Sequence, residues 1–298
     1  VKKTHLEIPF AVVLLCALAS HVFASKREAM RVAVLDFGES ASAHRVADEL
    51  AGALSSNSPA LSLLNRAQTR AAARGVGYKG SLNLSLEEAR DVGAVAGCDF
   101  FFAGEARTLR RSVGGERADY FESYAAFYLV SSSTGRLILW ERLSAQSPTA
   151  DAAESDLVKQ LRARVSAYVA AMEKARASER DARRASLERE TPVVEDAPED
   201  GTAAAKNFRT PLPYRRLRPA YTDAAARAQV EATVDALVSL DEHGEVQDVE
   251  IARWAGYGLD ESVVATIRQM HFRPALRDGA PVASRVLLRY NFRKPKDD

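Results

Sequence analysis

Only two cysteines, Cys16 and Cys98, occur in 298 residues. That scarcity excludes a disulfide framework and a thiolate-rich metal centre. An excess of one charge is also missing. Lys and Arg number 41 against 40 Asp and Glu, a formal net charge of +1. A dedicated nucleic-acid binder normally shows a basic excess, so that class is set aside. The five histidines do not group: His44, His243 and His271 stand at no metal-ligand spacing. Neither a Gly-x-Ser-x-Gly elbow nor a P-loop is found. The sequence therefore nominates no catalytic residue, metal site or cofactor site. The apolar run from Ile8 to Ala19 is shorter than the roughly 20 residues a bilayer span needs.

What is present is ordinary globular material, 47% hydrophobic and 27% charged, at a length suited to two modest domains. Lys2 and Lys3 precede the apolar run, and Val22-Phe23-Ala24 supplies small residues for cleavage after Ala24. Residues 1–24 are thus expected to be a secretory signal peptide, with an inner-membrane anchor as the alternative. Leu15 stands where a lipoprotein signal has a small residue, so Cys16 is not read as a lipidation site. Cys98 is expected to be a small core residue.

Along the exported chain, Val32 to Phe37 reads as a buried strand, and Val46, Leu50 and Leu54 form one helical stripe. Ala60 to Leu64 suits a strand and Asn65 to Arg70 a helix that Gly75 stops. Ser85 and Glu88 form a capping box ahead of a helix that Gly97 ends. Strands follow at Asp99 to Gly104, Tyr120 to Val130 and Leu137 to Arg142, the last two joined at Ser133-Thr134-Gly135. A closing helix from about Asp156 carries Leu157, Leu161, Val165, Tyr168 and Met172 on one face. From Glu173 to Glu190 mixed charges at helical spacing predict a solvated helix. Thr191 to Ala205, with its prolines and acidic pairs, reads as flexible linker. Beyond it Val230 to Leu240 alternates with period two, Asp241 to Gly244 turns, and Glu245 to Ala252 returns. Leu259, Val263, Ile267 and Met270 mark a helix, and Ser284 to Phe292 alternates again.

The expected fold class is α/β plus α+β. A mixed α/β sandwich occupies 30–172, a charged helix and linker 173–210, and a β-β-α-β domain 211–298. With so few strands in the last domain, at least one long sheet edge stays open.

Residues from about Pro219 to Phe292 resemble the C-terminal domain of the TonB energy-transducer family. The resemblance is carried by Tyr221-Thr-Asp-Ala-Ala225 with Val230-Glu231, by Leu240-Asp-Glu-His-Gly244-Glu-Val246, by Gly258-Leu259-Asp260, by Met270-His-Phe-Arg-Pro-Ala275, and by Asp278-Gly279 with Pro281-Val282. Thr222, Ala232 and His271 depart from the family pattern. The resemblance implies a periplasmic, non-enzymatic module that captures an extended peptide of an outer-membrane transporter or other envelope protein by strand addition. It implies that the guest meets Arg285, Leu287, Arg289 and Asn291 on the last strand, with Tyr221 as a further contact. Coupling to an inner-membrane motor complex, hence energy transduction, is the alternative. Residues 32–37, 63–66, 94–99 and 103–104 are similar to the periplasmic α/β domains of the CsgG and TolB N-terminal type, which implies a second envelope partner. Oligomeric state is left open.

Other features receive plainer readings. Gly75-Val-Gly77-Tyr-Lys-Gly80 spells a dinucleotide-binding pattern, but it follows a helix rather than a strand, and no helix opens at Gly80. Asp36 is read as a surface or turn-bonding carboxylate and Arg215, Arg216 and Arg218 as solvated. Trp254 and Tyr257 are expected to pack over the hairpin end. Lacking a continuous apolar face from Glu173 to Ala205, the two domains are expected to be mechanically independent. Arg289→Glu is expected to weaken peptide capture with little change in melting.

Overall fold

A computed structural model describes residues 29–112, 119–188, 194–198, 202 and 205–294. The leader expected at 1–24 lies outside the described residues. Among those described, no helix is long and apolar enough to cross a membrane.

The first lobe comprises β1 (Met30–Val34), α1 (Ala41–Asn57), β2 (Leu61–Leu63), α2 (Arg66–Gly75), α3 (Leu86–Ala96), β3 (Phe100–Arg111), β4 (Tyr120–Ser131), β5 (Leu137–Ser147) and α4 (Ala150–Glu188). Its sheet runs β2-β1-β3-β4-β5. The α1 crossover makes β1 parallel to β2, and β1 is also parallel to β3; β3, β4 and β5 form an antiparallel meander. Local chemistry places the helix ends. Oxygens of Ser40 and Asn65 accept the Ala43 and Gln68 amides, Ser85 and Glu88 close a reciprocal capping box, and Gly97 ends α3 at φ 68°.

Pleating sorts the sheet into two faces. Val32, Val34, Phe102 and Phe127 face α1 and α4, where Leu50, Leu161 and Tyr168 seal the core. Ala33, Phe101, Tyr128 and Val130 point the other way, toward Ala89 and Val92 of α3 and toward the second lobe. The expected change at Met172 does not end the helix; α4 runs unbroken for 39 residues. Past Met172, Glu179 still accepts hydrogen bonds from Ser133 and Thr134 at 2.8 and 3.3 Å, so the charged half touches the β4–β5 turn.

The remaining elements are β6 (Glu195–Asp196), β7 (Phe208–Arg209), β8 (Leu212–Pro213), α5 (Asp223–Ala228), β9 (Ala232–Leu240), β10 (Val246–Arg253), α6 (Leu259–Ile267), β11 (Phe272–Arg273), β12 (Ala275–Arg277), β13 (Ala280–Val282) and β14 (Ser284–Phe292). The expected β-β-α-β order is β9-β10-α6-β14. The main sheet runs β10-β9-β14-β6, while β8 pairs β11, and β7, β12 and β13 form a third small sheet. Val234, Ala236, Val238 and Leu240 meet Leu259, Val263 and Ile267 of α6 in the core that Val286, Leu288, Tyr290 and Phe292 complete. The linker reading of Thr191 to Ala205 is corrected at one point: Glu195–Asp196 is a short strand on β14.

Mechanical independence is also corrected. The loop after β10 is clasped by the first lobe. Trp254, 1% exposed, stacks on Tyr128 with ring centroids 5.4 Å apart, and its indole N–H donates to the Gly135 carbonyl at 3.1 Å. The Tyr128 hydroxyl donates to the Ala255 carbonyl at 3.3 Å, and Tyr257 lies against Trp140. Gly256 has φ 71°, and a Cβ there would sit 2.6 Å from Tyr128 Cε1, so the approach requires glycine. Asn83 behaves like one residue of an added strand: its amide nitrogen donates to the carbonyls of Thr233 (2.8 Å) and Trp254 (2.6 Å), and its oxygen accepts the Thr233 N–H at 3.1 Å. Arg253 bonds the Asn83 carbonyl and pairs with Glu88, and Arg136 pairs with Glu250. A linker's composition cannot report contacts made elsewhere on the two lobes. Trp254 and Tyr257 bind the neighbouring lobe rather than the hairpin end.

Asp260 steadies this loop by accepting the Ala255 and Gly256 amides at 2.8 and 2.9 Å. Burial pushes its carboxyl up to about 6, outweighing the two amides that pull it down.

Two outcomes follow from the clasp. Trp254→Ala should cost about 3–5 kcal/mol and resolve a single calorimetric transition into two as the lobes part; an unchanged single transition would show that the stack does not couple them. For Asp260 the folded value lies above the unfolded one. Its contribution is therefore complete below about pH 4 and is lost as pH rises through about 6. Thermal melts should show Asp260→Asn gaining on the parent protein across that interval, and parallel curves would refute the assignment.

Candidate functional site at the β14 edge

The chemistry of this site is mainly that of the backbone. β14 pairs β9 without a bulge from Ser284–Leu240 to Phe292–Ala232. On its other side the Arg285 carbonyl accepts the Ala197 N–H at 2.9 Å. In a strand, the N–H and C=O of one residue share a side and alternate with those of its neighbours. The amides of Arg285, Leu287, Arg289 and Asn291 therefore all point away from β9. Only Ser284 and Arg285 are opposed by β6. Beyond them no described strand pairs with β14 on this side.

The four β14 residues that the resemblance nominated thus share one register, but their side chains have different occupations. Leu287 is 49% exposed. Arg285 lies 3.7 Å from the Asp196 carboxylate. Asn291 accepts the Thr233 hydroxyl at 2.8 Å. Arg289 is engaged by the fold, its guanidinium donating through two nitrogens to Asp235 at 2.7 and 2.9 Å. Asp235 is buried, and Arg253 approaches the same carboxylate at 3.6 Å. The Asp235 carboxylate raises the Arg289 guanidinium above its ordinary value by hydrogen bonding and charge. Tyr221 braces the far end: its hydroxyl donates to the Val230 carbonyl at 2.7 Å and its ring lies 6.3 Å from Phe292.

Two residues read as solvated turn out to flank the edge. Arg216 and Arg218 line a groove of about 470 Å³ with Leu288, Arg289, Tyr290, Asn291 and Met270. The arginine trio was visible in the sequence; its position beside β14 was not. Acidic pairs in the linker and arginines just after it were the available signal.

Asp36 forms ion pairs with Arg66 and Arg70 at 2.9 and 3.4 Å. The glycine pattern spans the end of α2 and the loop after it, and the next helix opens only at Leu86. Among the described residues no three His, Cys, Asp or Glu side chains gather to hold a metal ion.

Residues 218–293 match the family model described as Gram-negative bacterial TonB protein C-terminal. This segment is a TonB C-terminal domain. It contains the whole β9-β10-α6-β14 unit and Arg218, whereas Arg216 and β6 precede it in the chain. Among solved structures, the Pseudomonas aeruginosa TonB C-terminal domain is similar at 18% identity and TM-score 0.27, covering 36% of this chain and all of that one. The hypothetical protein CT253 from Chlamydia trachomatis is similar at 16% identity and TM-score 0.34, over 48% of this chain and 99% of that one. Lipoprotein GNA1162 from Neisseria meningitidis is similar at 12% identity and TM-score 0.34, over 47% and 98%. No curated protein matches the sequence.

The Arg289–Asp235 pair corrects the expectation for Arg289→Glu. A glutamate there faces a buried carboxylate and leaves Asp235 without its bidentate partner. Its melting temperature should fall clearly. The fall should shrink when Asp235 is already Asn, since a double-mutant cycle isolates the pair. Equal losses in both backgrounds would show that the two side chains do not interact.

Proposed function

We propose that this protein is a non-enzymatic envelope adaptor whose TonB C-terminal domain captures an extended peptide of an envelope partner by strand addition on β14. The observation that carries this reading is the outward row of amides and carbonyls at Leu287, Arg289 and Asn291, which no described strand engages. An extended peptide satisfies such a row with main-chain hydrogen bonds, while its side chains meet whatever flanks the strand. Here the flanks are exposed Leu287 on one face and the arginine-lined groove on the other. The family of this domain is non-enzymatic, and its setting supports a periplasmic location.

The adaptor reading is preferred to energy transduction on a mechanical ground. A transducer needs its terminal domain to travel on an extended spacer, whereas the Trp254 clasp ties this domain to the α/β lobe. In the adaptor reading that lobe presents a second surface for another envelope partner.

Leu287→Pro tests the site directly. Proline removes an amide that points away from β9, so the β9–β14 ladder keeps its donors. Peptide capture measured by titration calorimetry should be lost while the melt shifts far less than for Trp254→Ala. Unaltered capture by the folded variant would move the site off this edge.

A further inference from the structure

The β14 edge is not empty where it begins. Glu195 and Asp196 lie parallel to Ser284 and Arg285, the Ala197 amide donates to the Arg285 carbonyl at 2.9 Å, and the Asp196 carboxylate stands 3.7 Å from Arg285 Nε. This is a strand addition made by the chain on itself. Its register is that of the outward amides, and it stops after two residues, leaving Leu287, Arg289 and Asn291 unopposed by any described strand. The segment is acidic, and the groove farther along the same edge is lined by Arg216 and Arg218.

We infer that residues 195–197 are a built-in competitor for the guest edge, and that the guest they stand in for is an extended acidic peptide that pairs beyond Arg285. The inference rests on the strand-capture reading and adds its regulation and the chemistry of the partner. Three observations converge on it. Placement of the cis strand on the outward side of β14 makes its occupancy and a guest's occupancy of Ser284–Arg285 mutually exclusive. Being part of the same chain raises its local concentration, on the order of millimolar for a short link, so even a two-residue pairing competes with a dilute guest. Its shortness means that a longer strand, which also bonds Leu287, Arg289 and Asn291, gains hydrogen bonds that the cis segment does not make. The device therefore sieves guests by length and charge: short or basic strands fail to displace it, while long acidic ones succeed.

The experiment uses the full chain and a synthetic peptide copying residues 193–199, added in trans. Ala197→Pro deletes the donor to the Arg285 carbonyl without altering β14, and Asp196→Lys reverses the charge facing Arg285; neither touches a packed core. An edge held in cis about two-thirds of the time lowers apparent affinity about threefold. Both variants should therefore bind the peptide at least about threefold more tightly than the parent protein, with amide shifts at Arg285 to Asn291. A variant peptide with lysines in place of its acidic residues should bind more weakly to all three. If parent and variants bind the acidic peptide equally, the cis strand is no competitor and this inference falls while strand capture stands. If none of them binds it, β14 accepts no such strand and both readings fall.

Discussion

Stacking of Trp254 on Tyr128 is the contact on which the two-lobed arrangement depends. The first lobe has a five-stranded sheet, but α2 and α3 cover only part of the face opposite α1 and α4. Tyr128 on β4 and Trp140 on β5 would leave an apolar patch in water if nothing else covered them. The loop after β10 supplies Trp254, Ala255, Gly256 and Tyr257 to that patch. A large aromatic surface leaves water there, and the polar atoms of the stacked pair find partners: the indole N–H on Gly135, the Tyr128 hydroxyl on Ala255. Gly256 lets the loop approach Tyr128 and Trp140 closely enough for the stack to form, while Gly135 lets the β4–β5 turn pack against the Leu86 backbone of α3.

The clasp has consequences for the edge on the far side of the same small sheet. Asn83 and Arg253 secure the ends of β9 and β10, and Arg253 shares Asp235 with Arg289 of β14. A chain of polar contacts thus runs from the first lobe through β9 to the strand proposed to receive a guest. Holding β9 in place presents β14 in a constant register. Arg289, nominated as a guest contact, holds its guanidinium in this internal chain through Asp235 while the same side chain lines the groove. Arg216 and Arg218 are better placed to meet an acidic guest with their side chains.

The charged segment between the lobes has two different characters. Through Glu188 it is helix, with Glu179 anchored to the β4–β5 turn. At Glu195–Asp196 it becomes strand and lies on β14. Composition marks both stretches as polar and solvated. It carries no information about which exposed backbone groups they meet.

Local pattern determined a great deal of this protein. The stripe of Val46, Leu50 and Leu54, the capping box at Ser85, the left-handed Gly97 and the period-two runs of β9 and β14 each rest on neighbours within a few residues, so they were legible as written. Motifs from Tyr221 to Val282 likewise located the TonB C-terminal domain, and alternation alone assigned Val286, Leu288, Tyr290 and Phe292 to its core. The tertiary structure decided the rest: the partner of Trp254, the pairing of Arg289 with Asp235, the arginines beside β14 and the cis strand upon it. Each joins residues about 50 to 130 positions apart, and no period or spacing encodes such a pair, because it depends on how whole elements pack and not on the residues beside either partner.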